Sequence, residues 1–61
     1  MKLETVYFVE RKSKSDILLS EILEWTLSFS SEKTIHIKNN LEKTSKDPDS
    51  YYNVRSMIIT D

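Results

Sequence analysis

The 61-residue sequence has no cysteine, no glycine, one proline and one histidine. Without cysteine the chain cannot form disulfides, and a zinc site of the usual kind lacks its thiolate ligands. His36 alone cannot build a metal cluster, so we expect neither a metal nor a cofactor. Turns must use Asn, Asp, Ser, Lys or Pro48 in place of glycine. The remaining ways to stabilise so short a chain are self-association and docking onto another protein.

Neither sign of charge dominates the chain. It has 9 basic and 10 acidic residues and a formal net charge of −1. This balance is typical neither of a polycation that binds nucleic acid nor of a strongly acidic protein that mimics DNA. The opening MKLETVYFVERK lacks the uninterrupted apolar region of a signal peptide. Its longest apolar run, VYFV, is far too short to span a membrane. We therefore expect one domain of residues 1–61 in the cytoplasm, without membrane contact.

Residues 15–29 carry the longest helical period in the sequence. At 100° per residue, one broad arc collects the large apolar side chains and the opposite side is mainly polar. The apolar arc contains Leu18, Leu19, Ile22, Leu23, Trp25 and Phe29. Ser13 and Ser15 are candidate N-caps, and two serines at 30–31 mark the expected end. The pattern predicts a helix that begins at residues 14–16 and lies on a sheet, with Trp25 in the core.

Three segments are predicted as strands. Residues 2–11 are rich in β-branched and aromatic types, residues 33–38 alternate isoleucine with polar side chains, and residues 51–60 carry apolar groups on both faces. A polar linker at 42–50 contains the Asp-Pro pair expected at a turn.

These elements predict an α+β fold of order β-α-β-β, with one helix packed on a three-stranded mixed sheet. A right-handed crossover would make the first two strands parallel, and the third would return antiparallel. It can lie outside the second strand or between the first two. We favour the second arrangement, strand order 1-3-2, because the last strand has apolar groups on both faces, as a central strand does.

One helix covers only one face of such a sheet. The other face would expose several large apolar side chains, and the first strand would present an unpaired edge, so both features predict association. The protein-interface candidates are Val6, Tyr7, Phe8, Leu41, Tyr51, Met57 and Ile59. The alternative is that the twisted sheet and the loop at 39–50 cover this face within one molecule.

Residues that could carry catalysis are few. His36 would lie beside Lys38 on the polar face of the second strand, and no nearby carboxylate is indicated to orient it. Glu21 and Glu24 would lie three residues apart on the solvated face of the helix, whereas paired catalytic carboxylates need a cleft. We therefore expect no enzymatic activity and no catalytic residues.

The sequence thus favours a small protein-binding module, such as an inhibitor, an antidote to a toxin or an adaptor, that contacts another protein, forms a homodimer, or does both. Its low glycine content and abundant Lys, Ser and Ile resemble in composition small accessory proteins of bacteriophages or low-GC bacteria. The alternative is a nucleic-acid-binding protein, less favoured because of the charge balance. Its candidate contacts are Arg11, Lys12, Lys14, Lys33, Lys38 and Tyr51.

Overall fold

The computed structural model describes residues 2–60. The elements are β1 (Leu3–Ser13), β2 (Ser20–Ser28), α1 (Ser31–Thr44) and β3 (Ser50–Thr60). The strands form one antiparallel sheet in the order β2-β1-β3. One helix with a three-stranded sheet confirms the predicted α+β class. The predicted mixed sheet and the order 1-3-2 are wrong, because the first strand is central and pairs antiparallel with both neighbours.

The helix predicted over residues 15–29 is wrong. Most of this segment is β2, which forms a hairpin with β1, with Leu23 opposite Val9 and Ser20 opposite Lys12. Residues 23–29 also alternate apolar with polar side chains, so a strand period competes with the helical one. Pairing with β1 decides between them. Trp25, expected in the core, is exposed.

The strand predicted over residues 33–38 is also wrong, because these residues belong to α1. Ser30 is the N-cap and its hydroxyl accepts the N–H of Lys33, while Glu32 in the first turn and Lys43 in the last turn suit the helix dipole. The less exposed side of α1 follows the helical period and contains Thr34, Ile37, Lys38 and Leu41. The helix therefore extends into the predicted linker.

The exposure of β3 alternates near the start of the strand. Ser50, Tyr52 and Val54 are partly buried, whereas the residues between them are exposed. Val54 lies opposite Val9, which is completely buried. This alternation indicates that α1 lies over the face that carries Val9, Tyr52 and Val54. We call it the helix face, and we call the opposite face of the sheet the open face.

The molecule is thin and elongated. Its extents are 42 × 24 × 13 Å, and its radius of gyration is 12.7 Å, against about 10.5 Å for a compact chain of this length. Its accessible surface is 4754 Å², against about 4,100 Å² for a typical monomer of this mass. Among residues 2–60, the buried apolar side chains are Val6, Phe8 and Val9. No helix within residues 2–60 is both long enough and apolar enough to cross a membrane.

Candidate functional site

The open face is defined by the strand register. Residues that pair across an antiparallel sheet share a face, and successive residues alternate. The even-numbered residues of β1 therefore share the open face with the odd-numbered residues of β3. This face carries Glu4, Val6, Phe8, Glu10 and Lys12 from β1, Ser20 and Ile22 from β2, and Tyr51, Asn53, Arg55, Met57 and Ile59 from β3.

Large apolar side chains on the open face remain accessible to solvent. The exposed fraction is 50% for Ile22, 41% for Met57 and 39% for Ile59, while Val6 and Phe8 in the central strand are buried. Val6 lies directly opposite Met57 in the β1–β3 ladder. The central strand thus forms the apolar floor of a surface whose flanks stay exposed. Contiguous surfaces of this kind on small proteins usually mark an interface.

A polar bridge crosses the open face at Glu10. The Ser20 hydroxyl donates to its carboxylate at 2.6 Å, and the Arg55 guanidinium donates to the other oxygen at 3.4 Å. The hydrogen bond from Ser20, followed by the charges of Arg55 and Lys12, holds the pKa of Glu10 below its usual value, although partial burial opposes the shift. The carboxylate therefore stays ionised and links all three strands.

The β1–β3 ribbon extends past β2 at one end. Register between β1 and β2 covers Tyr7–Lys12, whereas residues 3–6 pair only with residues 57–60 of β3. We call residues 3–6 and 57–60 the arm. Its Leu3 and Ile58 are about 70% exposed on the helix-face side. Isolated two-stranded ribbons are marginally stable in water, so the arm is well placed to gain stability from a partner.

At the other end, the turn between β1 and β2 is fixed by Asp49. Its carboxylate accepts hydrogen bonds from the hydroxyls of Ser13 and Ser15 and from the Ser15 N–H, and its carbonyl accepts the Lys14 N–H at 2.7 Å. The hydrogen bonds to the carboxylate, first that from Ser13 and then those from Ser15, lower the pKa of Asp49. The sequence predicts Ser13 as a helix cap. Its hydroxyl does accept the N–H of Asp16 at 3.2 Å, but this bond lies in the turn between β1 and β2 and not at the start of a helix.

The tip of the turn exposes Ile17, Leu18 and Leu19, and Leu18 is 90% exposed. The turn itself is closed by Asp16, which accepts the N–H of Leu18 on its side chain and that of Leu19 on its carbonyl, both at 3.1 Å. The tip is therefore a second apolar surface, at the end of the molecule away from the arm.

Five of the seven predicted interface residues lie together on the open face: Val6, Phe8, Tyr51, Met57 and Ile59. Tyr7 lies on the opposite face and is half-buried, and Leu41 lies on the less exposed side of α1. The predicted free edge of the first strand is wrong for most of its length, because β1 is central. The prediction missed Ile22, because the helical period of residues 15–29 placed it on the apolar side of a helix.

The residues proposed to contact nucleic acid are divided among several elements. Lys12 is opposite Tyr51 on the open face, but Arg11 is on the helix face, 3.8 Å from Glu21. Lys38 on α1 is ion-paired with Glu42 at 2.7 Å. Lys33 is also on α1, and Lys14 is in the first turn. The set therefore does not form one basic surface.

The residues considered for catalysis are exposed on two different elements. His36 is exposed on α1 rather than on a strand, and Glu21 and Glu24 are exposed on β2 rather than on a helix. Residues 2–60 bring together no group of three His, Asp or Glu side chains that could hold a metal ion. The same residues enclose no pocket.

Comparison of this chain with protein-family models, curated proteins and solved structures finds no match. The exposure, register and charge of residues 2–60 are therefore the features that bear on function.

Proposed function

We propose that this chain is a non-enzymatic protein-binding module that docks onto a partner protein through the open face, as an inhibitor, an antidote or an adaptor. The observation that carries the proposal is the accessible apolar surface formed by Ile22, Met57 and Ile59 around the floor of Val6 and Phe8. The surface is a flat sheet face and not a narrow peptide-binding groove. A flat face is suited to contact an apolar helix or sheet of a partner protein.

The rim of this surface has the composition of a protein interface. Tyr51 is partly exposed and lies beside Lys12, while Glu4 lies opposite Ile59 at the other end. Interfaces combine an apolar centre with a polar rim, and tyrosine is enriched among the residues that dominate binding. Covering the three exposed aliphatic side chains would contribute about 2–5 kcal/mol before the entropy of association is subtracted.

The experiment that tests the proposal uses matched isoleucines. The tagged chain captures a partner from a lysate, and the affinity of the purified partner is then measured by calorimetry for wild type, Ile22→Ser and Ile17→Ser. Ile22 lies on the open face and Ile17 in the first turn, and both are at least half exposed. We expect Ile22→Ser to weaken binding about tenfold, or about 1.4 kcal/mol, and Ile17→Ser to leave it unchanged. Equal affinities for both variants would contradict the proposal.

The nucleic-acid alternative remains a prediction, and the one observation that favours it is the adjacency of Lys12 and Tyr51 on the open face. An aromatic ring beside a cation is a feature of single-strand binding surfaces. Binding to a single-stranded oligonucleotide is measured at increasing salt, because phosphate contacts release counterions. We expect no binding at physiological salt. Salt-dependent binding that Lys12→Ala reduces would favour the alternative.

A further inference from the structure

The outer edge of β3 presents regularly spaced backbone groups. The Val9 N–H is directed toward β2, where it donates to Thr26 at 2.8 Å. Backbone polar groups of successive strand residues point to opposite sides, so the even-numbered residues of β1 point toward β3. Their partners in β3 are odd-numbered, so the backbone N–H and C=O groups of the odd-numbered β3 residues point toward β1. The backbone groups of the even-numbered β3 residues therefore point away from β1, to the outer edge of the sheet. The outward N–H and C=O groups belong to Tyr52, Val54, Ser56, Ile58 and Thr60.

This edge lacks the features that usually prevent strands from pairing between molecules. Within residues 2–60, no strand pairs with the outer side of β3. The strand has 11 residues, of which Arg55 alone is charged, and it contains no proline. Natural edge strands are commonly short, or are protected by charges, proline or bulges. The edge of β3 is therefore available for strand addition.

We propose that a second copy of this chain adds to the edge, with the two β3 strands antiparallel across a two-fold axis at Ile58. The assembly is one six-stranded sheet in which the two β3 strands are central. This dimer does not depend on the proposed function, because its hydrogen bonds use the backbone edge of β3; the two open faces then lie side by side on the same side of the six-stranded sheet.

The sequence of Ser56–Thr60 fits this register. Ile58 meets Ile58 of the second copy, Met57 meets Ile59, and Ser56 meets Thr60. Aliphatic pairs and paired hydroxyl residues are favourable across antiparallel strands. The outward groups of Ser56, Ile58 and Thr60 then form roughly six backbone hydrogen bonds. A two-fold axis at Arg55 would instead place two like charges opposite each other.

A second copy also accounts for the shape of the protomer. Pairing about a two-fold axis requires a segment that complements itself, and Ser56–Thr60 has this property. The surface of 4754 Å² exceeds the value for a typical monomer of this mass by about 600 Å², so the isolated protomer leaves more of its surface uncovered than most chains of its size. At the arm, which β2 does not reach, the dimer joins two two-stranded ribbons into four adjacent strands. Four strands are more stable than two.

A charge-exchange experiment tests the two-fold axis. The molar mass is measured by light scattering for wild type, Ile58→Lys, Ile58→Glu and an equal mixture of the two variants, with circular dichroism to check folding. We expect wild type at twice 7.2 kDa and each variant alone as a monomer, because like charges meet at the axis. The mixture should restore a dimer containing one copy of each variant. Ile35→Lys, on the exposed side of α1, should remain dimeric.

Three results would overturn the proposal: a wild-type chain that is monomeric at all concentrations, a dimeric Ile58→Lys chain, or folded variants that fail to associate when mixed.

Should the Ile58 variants unfold, Ser56→Pro and Ser56→Ala replace them. The Ser56 N–H points outward, so proline there keeps the pairing with β1 but blocks the second copy. The proline variant should be monomeric and the alanine variant dimeric, and a dimeric Ser56→Pro chain would overturn the proposal. No partner protein is present, so these results are separate from the test of the open face.

Discussion

The hydroxyl of Thr26 accepts the backbone N–H of Val9 at 2.8 Å and donates to the Leu23 carbonyl at 2.6 Å. The pairing of β1 with β2 is interrupted between Tyr7 and Val9, and residues 24–27 bulge out of the ladder. The bulge removes the strand acceptor that the Val9 N–H would otherwise have. A threonine side chain replaces it, so the peptide of a completely buried residue keeps its hydrogen bond.

Replacing this hydroxyl should destabilise the fold. Thr26→Val leaves the buried Val9 N–H unsatisfied, and we expect it to lower the free energy of unfolding by about 1–3 kcal/mol. Thr26→Ser keeps the hydroxyl and should lose less. Urea unfolding at one fixed protein concentration measures both, since association makes stability depend on concentration. Equal losses in the two variants would contradict the assigned role of the hydroxyl.

Acid stability should depend on Asp49. Its pKa is lowered by hydrogen bonds from Ser13 and Ser15, so in acid the unfolded chain binds a proton more readily than the folded chain does. The stabilisation is complete above the unfolded-state pKa of about 3.9 and is lost as the pH falls through the lower folded-state value.

The corresponding measurement is the free energy of unfolding between pH 6 and pH 2 for wild type and Asp49→Asn. The wild-type value should decrease more steeply below about pH 4. Asp49→Asn should be less stable at pH 6 and should depend less on pH, with a residual dependence from Glu10, whose pKa is also lowered. Parallel pH profiles would contradict the role of Asp49.

The two phenylalanines should respond oppositely to truncation. Phe8 is 7% exposed and Phe29 is 67% exposed. Phe8→Ala should cost about 3–5 kcal/mol, whereas Phe29→Ala should change the free energy of unfolding by less than about 0.5 kcal/mol. From the sequence alone, Phe8→Asp is expected to weaken association and leave the monomer folded if Phe8 lies on the open face, whereas unfolding would place Phe8 in the core. Phe8 does lie there, but it is buried by its neighbours, so we now expect unfolding, measured by circular dichroism.

Leu18 distinguishes the observed fold from the helix predicted by the sequence. A core helix over residues 15–29 would make Leu18→Ala or Ile22→Ala cost about 2–5 kcal/mol. In the structure Leu18 is almost fully exposed at the tip of the turn, so Leu18→Ala should change stability by less than about 0.5 kcal/mol. Val9→Ala, at a completely buried position, is the control and should cost clearly more. A large loss for Leu18→Ala would contradict the hairpin.

The prediction from sequence succeeded at both ends of the chain and failed in the middle. Strands predicted at 2–11 and 51–60 correspond to β1 and β3, because β-branched and aromatic residues suit a pleated strand. Residues 15–29 and 33–38 each carry two periods. In residues 15–29 the weaker strand alternation corresponds to β2, and in residues 33–38 the weaker helical period corresponds to α1.

The candidate site shows the same division. Alternation along a strand is a local property, so the sequence alone determined that Val6 shares a face with Phe8, and that Tyr51 shares one with Met57 and Ile59. Only the tertiary structure decided that these two sets lie on the same face, that Ile22 joins them, and that the edge of β3 is free. The physical reason is that the partner of a strand and the cover of a face are distant in sequence, and the chain chooses among them by the hydrogen bonds and buried area of the whole fold.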